Sequence, residues 1–259
     1  MDITQHIYLG KDYDGSRLKE WIPTDSKLLF LDRLEKDPTN PCLLHYLKYP
    51  ITYKLNNYGF RTPVDFVDEV EGNLFLGCSH TFGIGHYLEN TWSWKLNEYV
   101  GGKFLNAAAG GAGIGTGFRL FYFLKGIIKP KNVFLYFPHP YRFEYFDGKR
   151  NLWETVNINS GRNINIIAEK NNMEMYYYLH FNAIKNLCTE LNIPLYAINN
   201  ENIFSVQHEI FPDCARDYHS PPSDHINIFE RFKQAYDNKE EAYSKPLSDH
   251  LFDGFKHLS

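Results

Sequence analysis

The segment LFLGCSHTFGIG, residues 74–85, places a cysteine and a serine directly after an apolar run. A serine hydroxyl becomes a nucleophile when a neighbouring base takes its proton. Such a serine also needs a sharp turn that exposes it, and Gly77 and the glycines that follow suit such a turn. Ser79 is therefore the first candidate nucleophile. Cys78 is a second candidate, and an ordinary serine between a strand and a helix is the alternative without chemistry.

Apolar and amphipathic segments alternate along the chain from about residue 73. The pattern predicts buried strands at residues 73–77, 103–106, 132–137 and 194–198. It predicts helices at residues 89–100, 118–128, 174–192 and 223–236, the last capped by Ser223, and one short helix within 21–38. This alternation is typical of a mostly parallel sheet covered by helices on both faces. Because ligand sites in such sheets lie beyond the carboxyl ends of the strands, we expect the segments after residues 77, 106 and 137 to meet at one edge.

Separated blocks of the sequence resemble the SGNH (GDSL-type) hydrolases. GCSHTFG (77–83) resembles the family's G-D-S block, and NNYGFRTP (56–63) resembles the N-x-x-G-F-R-G-P run that precedes it in many members. NAAAGGAG (106–113) corresponds to the second block, and ARDYHSPPSDH (215–225) resembles the last one. The resemblance covers roughly residues 56–236.

The resemblance implies an α/β fold, a three-layer α/β/α sandwich with a flavodoxin-like sheet. It also implies a serine esterase or O-deacetylase that works through an acyl-enzyme. Ser79 would be the nucleophile, His219 the general base and Asp217 the acid that orients the imidazole. The backbone N–H groups of Ser79 and Gly111 would stabilise the oxyanion.

The sequence departs from the family's pattern beside the nucleophile and beside the base. Cys78 stands where the family has the aspartate of G-D-S, a residue that mainly supports the turn. One residue separates Asp217 from His219, whereas the family's D-x-x-H has two. Either Asp217 or a backbone carbonyl is then expected to orient the imidazole. Asp224 and His225 form a second such pair, but a histidine inside a helix is more often packed or capping.

The family's third block, G-x-N-D, has no counterpart after the strand at 132–137. The chain reads PHPYRFE (138–144) there, without an asparagine. A third oxyanion donor is therefore missing or is supplied by another residue. Arg142 is the first substitute, His139 a weaker one, and Asn199 and Asn200 are outside candidates.

The charge of the chain argues against a nucleic-acid or membrane partner. The formal net charge is −4, the pI is near 6.3, and lysines and arginines form no basic block. The first residues lack the basic start and apolar run of a secretion signal, and no segment approaches the roughly 18 apolar residues of a membrane span. We therefore expect a cytoplasmic protein, although one released by lysis would have the same composition.

Neither a metal nor another cofactor is expected from the sequence. The cysteines are Cys42, Cys78, Cys188 and Cys214, far apart and without a CxxC pair. His80, His86 and His139 could join His219 around a metal, but their spacing matches no ligand pattern. The segment GGAGIGTG (110–117) could cradle a phosphate at a helix N-terminus, yet it lacks the Lys-Ser/Thr ending of a P-loop.

We expect residues 1–50 to form an extension that packs on a hydrolase-like domain spanning residues 51–259. Aromatic residues make up 17% of the chain, which makes a carbohydrate ester attractive as the substrate. The competing hypothesis is a binding or structural module that keeps the fold without turnover. A nucleotide-binding protein with a flavodoxin-like fold is a third hypothesis.

Overall fold

The computed structural model describes residues 18–21, 27–139, 142–149, 152–157, 170–198 and 222–239. The strands are β1 (Leu18–Trp21), β2 (Ile51–Lys54), β3 (Val70–Leu76), β4 (Phe104–Asn106), β5 (Ile128–Tyr136), β6 (Arg142–Asp147), β7 (Leu152–Asn157) and β8 (Leu195–Ile198). The helices are α1 (Lys27–Lys36), α2 (Pro41–Lys48), the single turn α3 (Ser79–Phe82), α4 (Trp92–Val100), α5 (Ile114–Leu124), α6 (Lys170–Glu190) and α7 (Pro222–Asp237).

Four parallel strands form the central sheet, in the order β4-β3-β5-β8. Phe75 of β3 aligns with Asn106 on one side and with Phe134 on the other, and Leu135 aligns with Ala197 of β8. The carboxyl ends of β3, β4 and β5 therefore lie at the same edge of the sheet. This confirms the predicted parallel sheet and brings the segments after residues 77, 106 and 137 to one edge.

The sheet side chains alternate between two apolar clusters, one on each face. In β3, Leu74 and Leu76 pack with residues of α5 and α6, whereas Phe75 packs with residues of α4 and α7. Trp92 of α4 stacks on Phe232 of α7 with 4.6 Å between the ring centroids. The architecture is mixed α/β, with helices packed against both faces of a parallel sheet.

Three helices begin earlier than the sequence predicts, and one of them is α6, which begins at Lys170 and not at residue 174. Helix α5 begins at Ile114, four residues before the expected start at 118. The first turn of α5 contains Gly115. Tyr176 of α6 packs closely against this glycine, and a Cβ at residue 115 would collide with the Tyr176 hydroxyl. Helix α7 begins at Pro222, so Ser223 lies inside its first turn and is not the residue that precedes the helix.

An antiparallel hairpin, β6–β7, follows β5 and was not predicted. Arg142 pairs with Asn157 at its open end and Asp147 with Leu152 near its turn. Its charged residues break the continuous apolar runs that reveal the sheet strands. The turn residues Asp147-Gly148 between two aromatic-rich runs were the signal for a hairpin.

A buried ion pair fixes this hairpin to helix α5. Arg119 donates from Nε and Nη2 to the two carboxylate oxygens of Glu144, at 2.9 and 2.8 Å. The guanidinium carbon also lies 4.8 Å from the centroid of the Trp153 ring. The bidentate ion pair and the contact with the Trp153 ring hold β6 against α5.

The amino-terminal part of the described chain contributes a strand pair and a pair of helices. Strand β1 pairs antiparallel with β2, from Leu18 opposite Lys54 to Trp21 opposite Ile51. This pair joins residues on either side of the predicted boundary at residue 50.

Among the helices in the described ranges, none combines the length and the apolar character needed to cross a membrane.

Candidate active site

Ser79 follows β3 at the carboxyl edge of the sheet, directly after a sharp turn. Gly77 has a φ of 150°, and a Cβ there would collide with Thr81 Oγ1 and lie 2.8 Å from the carbonyl oxygen of Tyr136. Cys78 is extended, and α3 begins at Ser79. Only glycine lets the chain turn this close to β5, so Gly77 determines where Ser79 lies.

The Ser79 side chain is 3% exposed, and its hydroxyl has no hydrogen-bond partner among the described residues. The carbonyl oxygen of Ser79 accepts from the N–H groups of Gly83 and Ile84, at 2.8 and 3.1 Å. The N–H of Ser79 belongs to the first turn of α3, where a helix leaves N–H groups unpaired, and it too has no acceptor in the described part of the chain. Acyl transfer requires both the hydroxyl and the N–H of Ser79, and neither is hydrogen-bonded to a described residue.

Gly111 lies in a tight turn after β4. The turn is closed by a hydrogen bond from the N–H of Ala112 to the carbonyl oxygen of Ala109, at 3.2 Å. Gly111 occupies the third position with a φ of 76°, as a type II turn requires. Within the described ranges its N–H has no acceptor.

The turns of Ser79 and Gly111 are in contact. The N–H of Ala109 donates to the carbonyl oxygen of Gly77 at 3.3 Å, and Cys78 packs against Ala109 and Ala112. Two N–H donors without acceptors among the described residues, from Ser79 and Gly111, thus lie on adjoining turns at one edge of the sheet.

Asn106, the last residue of β4, holds both turns. Its side-chain oxygen accepts from the N–H of Ala108 at 3.0 Å, and its amide nitrogen donates to the carbonyl oxygen of Thr81 at 3.4 Å. Asn106 is fully buried, so both interactions replace contacts with water. One side chain therefore links the start of the Gly111 loop to the helical turn that carries Ser79.

Cys78 occupies a packing position. It is buried, and its side chain contacts the two alanines of the Gly111 loop. It makes no side-chain hydrogen bond to cap α3. These contacts favour a supporting role for Cys78.

Arg142 lies next to the Gly111 turn. Its Nη1 donates to the carbonyl oxygen of Ala112 at 3.3 Å. Its own carbonyl oxygen lies so close to Gly113 that a Cβ on Gly113 would come within 2.6 Å of it. The structure therefore brings Arg142, the first substitute for the missing third donor, to the loop that carries Gly111.

His139 is exposed and lies near Arg142. The pKa of His139 is lowered from its ordinary value, chiefly because protein atoms displace water from the ring and secondly because the Arg142 guanidinium repels a second positive charge. His139 is therefore neutral at neutral pH. The other two substitutes, Asn199 and Asn200, lie outside the described residues.

His219 and Asp217 lie outside the described residues, whereas the second pair, Asp224 and His225, lies at the start of α7. His225 is buried, and its Nδ1 accepts a hydrogen bond from the N–H of Trp92 at 3.1 Å. A general base oriented by a carboxylate must donate from this nitrogen, which His225 does not do. His225 therefore caps the first turn of α4, in line with the capping interpretation of this histidine.

A buried charged residue near Ser79 that sequence reasoning did not single out is Arg61, from the segment NNYGFRTP. Its side chain is 1% exposed and donates to the carbonyl oxygens of Phe82, Gly83 and His86, at 3.1, 2.6 and 2.7 Å. The only signal in the sequence was its place in a segment that resembles a family motif. Nothing local in the sequence indicates that it reaches the loop after Ser79.

The weaker alternatives are a metal site, whose candidate His219 lies outside the described residues, and a phosphate cradle. Within the described ranges, no three histidine, cysteine or acidic side chains converge as metal ligands. The glycine-rich segment at 110–117 leads into α5, where the backbone of Arg142 packs on Gly113 and the Gly113 N–H donates to Thr116 Oγ1. The start of this helix is therefore covered by protein.

A cleft of about 770 Å³ lies at the opposite edge of the sheet. Its lining includes Asn132 in the middle of β5, Leu195 at the amino end of β8, and Lys185 of α6. This cleft is remote from Ser79, and its residues form none of the constellations described above.

Comparison with known proteins assigns no class: no protein-family model matches the chain, and no curated protein sequence matches it significantly.

Proposed function

We propose that this chain is a serine hydrolase of the SGNH type, an esterase or O-deacetylase that cleaves an ester or O-acyl group through an acyl-enzyme. In this proposal Ser79 is the nucleophile, His219 the general base, and Asp217 the group that orients His219. The N–H groups of Ser79 and Gly111 form the oxyanion hole, and Arg142 is the candidate third donor.

The strand order supports a three-layer α/β/α sandwich with a flavodoxin-like sheet. Counting only the strands of the central sheet, the order β4-β3-β5-β8 reads 2-1-3-4. This matches the beginning of the doubly wound order 2-1-3-4-5, in which ligands bind where the strand order reverses, beyond the carboxyl ends of the strands. Ser79 directly follows the first of these strands.

The observation that carries the proposal is the contact between the turn of Ser79 and the turn of Gly111. Acyl transfer needs a hydroxyl and at least two aimed donors in one place. Here a hydroxyl and two N–H groups without acceptors among the described residues lie on adjoining turns, joined by the hydrogen bond between Gly77 and Ala109.

The proposed reaction follows the usual balance of acyl transfer. Ser79 Oγ bonds to the ester carbonyl carbon while its proton moves to His219, and the carbonyl oxygen takes the negative charge. When the tetrahedral intermediate collapses, the alcohol leaves with the proton from His219. Water then attacks the acyl-enzyme by the same steps and releases the acid.

Two features indicate a slow enzyme with a small acyl group. Without a third oxyanion donor, transition-state stabilisation falls by about 2.7–4 kcal/mol. Because the Ser79 side chain is 3% exposed, the carbonyl must reach it through a narrow opening. An acetyl ester, on a simple alcohol or on a glycan, fits the burial of Ser79.

The test is reaction with a fluorophosphonate probe, read by peptide mass spectrometry, together with turnover of p-nitrophenyl acetate. We expect the probe on Ser79 and no labelling of the Ser79→Ala variant. A folded wild-type protein that neither reacts nor turns over would refute the proposal.

The second candidate is a binding or structural module with the same fold. The burial of Ser79 and the hairpin β6–β7 in place of the third block favour it. It predicts an unlabelled Ser79 in a folded protein, and ligand binding that the Ser79→Ala change leaves intact.

A further inference from the structure

Arg61 is held in the protein interior and is aimed at the segment that follows α3. Its guanidinium contacts three backbone carbonyl oxygens, those of Phe82, Gly83 and His86, each within 3.1 Å. Phe82 is the last residue of α3, and Gly83 and His86 belong to the segment that follows it. A cation is favoured at the carboxyl end of a helical turn. Arg61 thus closes the carboxyl end of the single turn that begins at Ser79.

One of the residues that Arg61 holds, Gly83, is hydrogen-bonded directly to Ser79. The N–H of Gly83 donates to the carbonyl oxygen of Ser79 at 2.8 Å, and the N–H of Ile84 donates to the same oxygen at 3.1 Å. The side chain of Arg61 binds the carbonyl oxygen of Gly83 at 2.6 Å. Only one residue therefore stands between the guanidinium and the backbone of Ser79.

Arg61 is itself fixed by the loop that carries it. The side-chain oxygen of Asn56 accepts from the N–H groups of Tyr58 and Phe60, each at 3.0 Å, which curls the loop. Next to Arg61, the hydroxyl of Thr62 donates to the carbonyl oxygen of Phe104 in β4. The loop is thereby anchored to the central sheet.

The face of Tyr53 completes the binding site of the guanidinium. The guanidinium carbon lies 4.1 Å from the ring centroid, and the Tyr53 hydroxyl accepts from the N–H of Gly85 at 2.8 Å. Burial lowers the pKa of Arg61 to about 10, so the side chain stays cationic at neutral pH. A planar guanidinium can span these acceptors, whereas the ammonium of lysine is a point charge.

We infer that Arg61 is a positioning residue that holds the turn of Ser79 in its reactive geometry by clamping the segment from Phe82 to His86. The inference rests on the proposed function for its consequence in catalysis, although the clamp itself is a feature of the fold. Arg61 touches no reacting atom in this assignment and acts only through the backbone.

The buried Cys78, next to Ser79, is an internal reporter of this turn. Cys188 in α6 is equally buried and reports on the rest of the core. Alkylation of the native protein by iodoacetamide, read for each cysteine by peptide mass spectrometry, separates local loosening from global opening. The test variant is Arg61→Lys, and the matched control is Arg119→Lys, which alters another buried arginine.

In Arg61→Lys we expect alkylation of Cys78 to rise at least about tenfold, while Cys188 stays protected and fluorophosphonate labelling of Ser79 slows by a similar factor. In Arg119→Lys we expect Cys78 to stay protected. Unchanged protection of Cys78 in Arg61→Lys would overturn the inference, and so would parallel exposure of Cys78 and Cys188. If wild-type Ser79 does not react with the probe, the proposed function fails, and the alkylation of Cys78 still decides whether Arg61 is a clamp.

Discussion

The backbone N–H of Ala109 donates to the carbonyl oxygen of Gly77, and this hydrogen bond of 3.3 Å joins the two turns that follow β3 and β4. One turn presents Ser79 and the other presents Gly111. The two residues are distant in sequence, and parallel pairing of their strands brings them to the same edge of the sheet.

Substitutions of Ser79 and Cys78 test which of these two residues is the nucleophile. We expect Ser79→Ala to lower p-nitrophenyl acetate turnover by a factor on the order of 10³ or more, because no acyl-enzyme can form. Cys78→Ser should retain turnover, since Cys78 packs against Ala109 and Ala112. The reverse pattern, with Cys78→Ser inactive and Ser79→Ala active, would assign the nucleophile to Cys78.

Substitution of His219 should affect turnover, whereas substitution of His225 should affect the stability of the fold. We expect His219→Ala to abolish turnover with little change in the free energy of unfolding, because its proposed role is proton transfer. His225→Ala should lower that free energy by about 1–3 kcal/mol, because the buried N–H of Trp92 loses its acceptor. Urea denaturation and turnover, measured on both variants, check this. A His225→Ala variant of wild-type stability would contradict the capping role.

Gly111 can be compared with Gly101, a glycine that also has a positive φ. Their φ values are 76° and 79°, and a Cβ at either position meets no atom within 4 Å. Alanine at Gly111 should therefore cost about 1–2 kcal/mol of unfolding free energy. Alanine at Gly101 should cost at least as much, because its ψ of 162° puts it in a region that only glycine readily adopts. Only Gly111→Ala should also lower the rate of fluorophosphonate labelling, because only Gly111 belongs to the proposed oxyanion hole. Equal labelling rates in the two variants would argue against that role.

The proximity of His139 and Arg142 predicts that the stability of the folded protein depends on pH. Because the folded-state pKa of His139 lies below its unfolded value, the stability that this residue contributes is present above the unfolded value, about 6.5. That contribution is lost as the pH falls through the folded pKa. Between about pH 7.5 and about pH 5, the wild-type protein should therefore lose more thermal stability than the His139→Asn variant does. In an NMR titration, Arg142→Met should raise the pKa of His139, and an unchanged value would show that the guanidinium does not act on it.

The sequence alone determined the elements and the edge on which the candidate site lies. Each strand and helix of the sheet region could be predicted because apolar periodicity is a property of neighbouring residues. The predicted strand at 73–77 and the helix at 89–100 correspond to β3 and α4. Ser79 could be named because a glycine marks the turn after its strand, whereas Gly111 was named from the resemblance of residues 106–113 to a family motif.

Only the tertiary structure decided which distant residues support the site. Arg61 and Gly83 are 22 positions apart, and their contact depends on how the loop before β3 lies against the loop after it. The acceptor role of His225 depends on α7 packing beside α4, which joins residues 133 positions apart. The hairpin that brings Arg142 to Ala112 is held by the pair of Arg119 and Glu144. Such contacts depend on the order of the strands and the packing of side chains, and local periodicity carries neither kind of information.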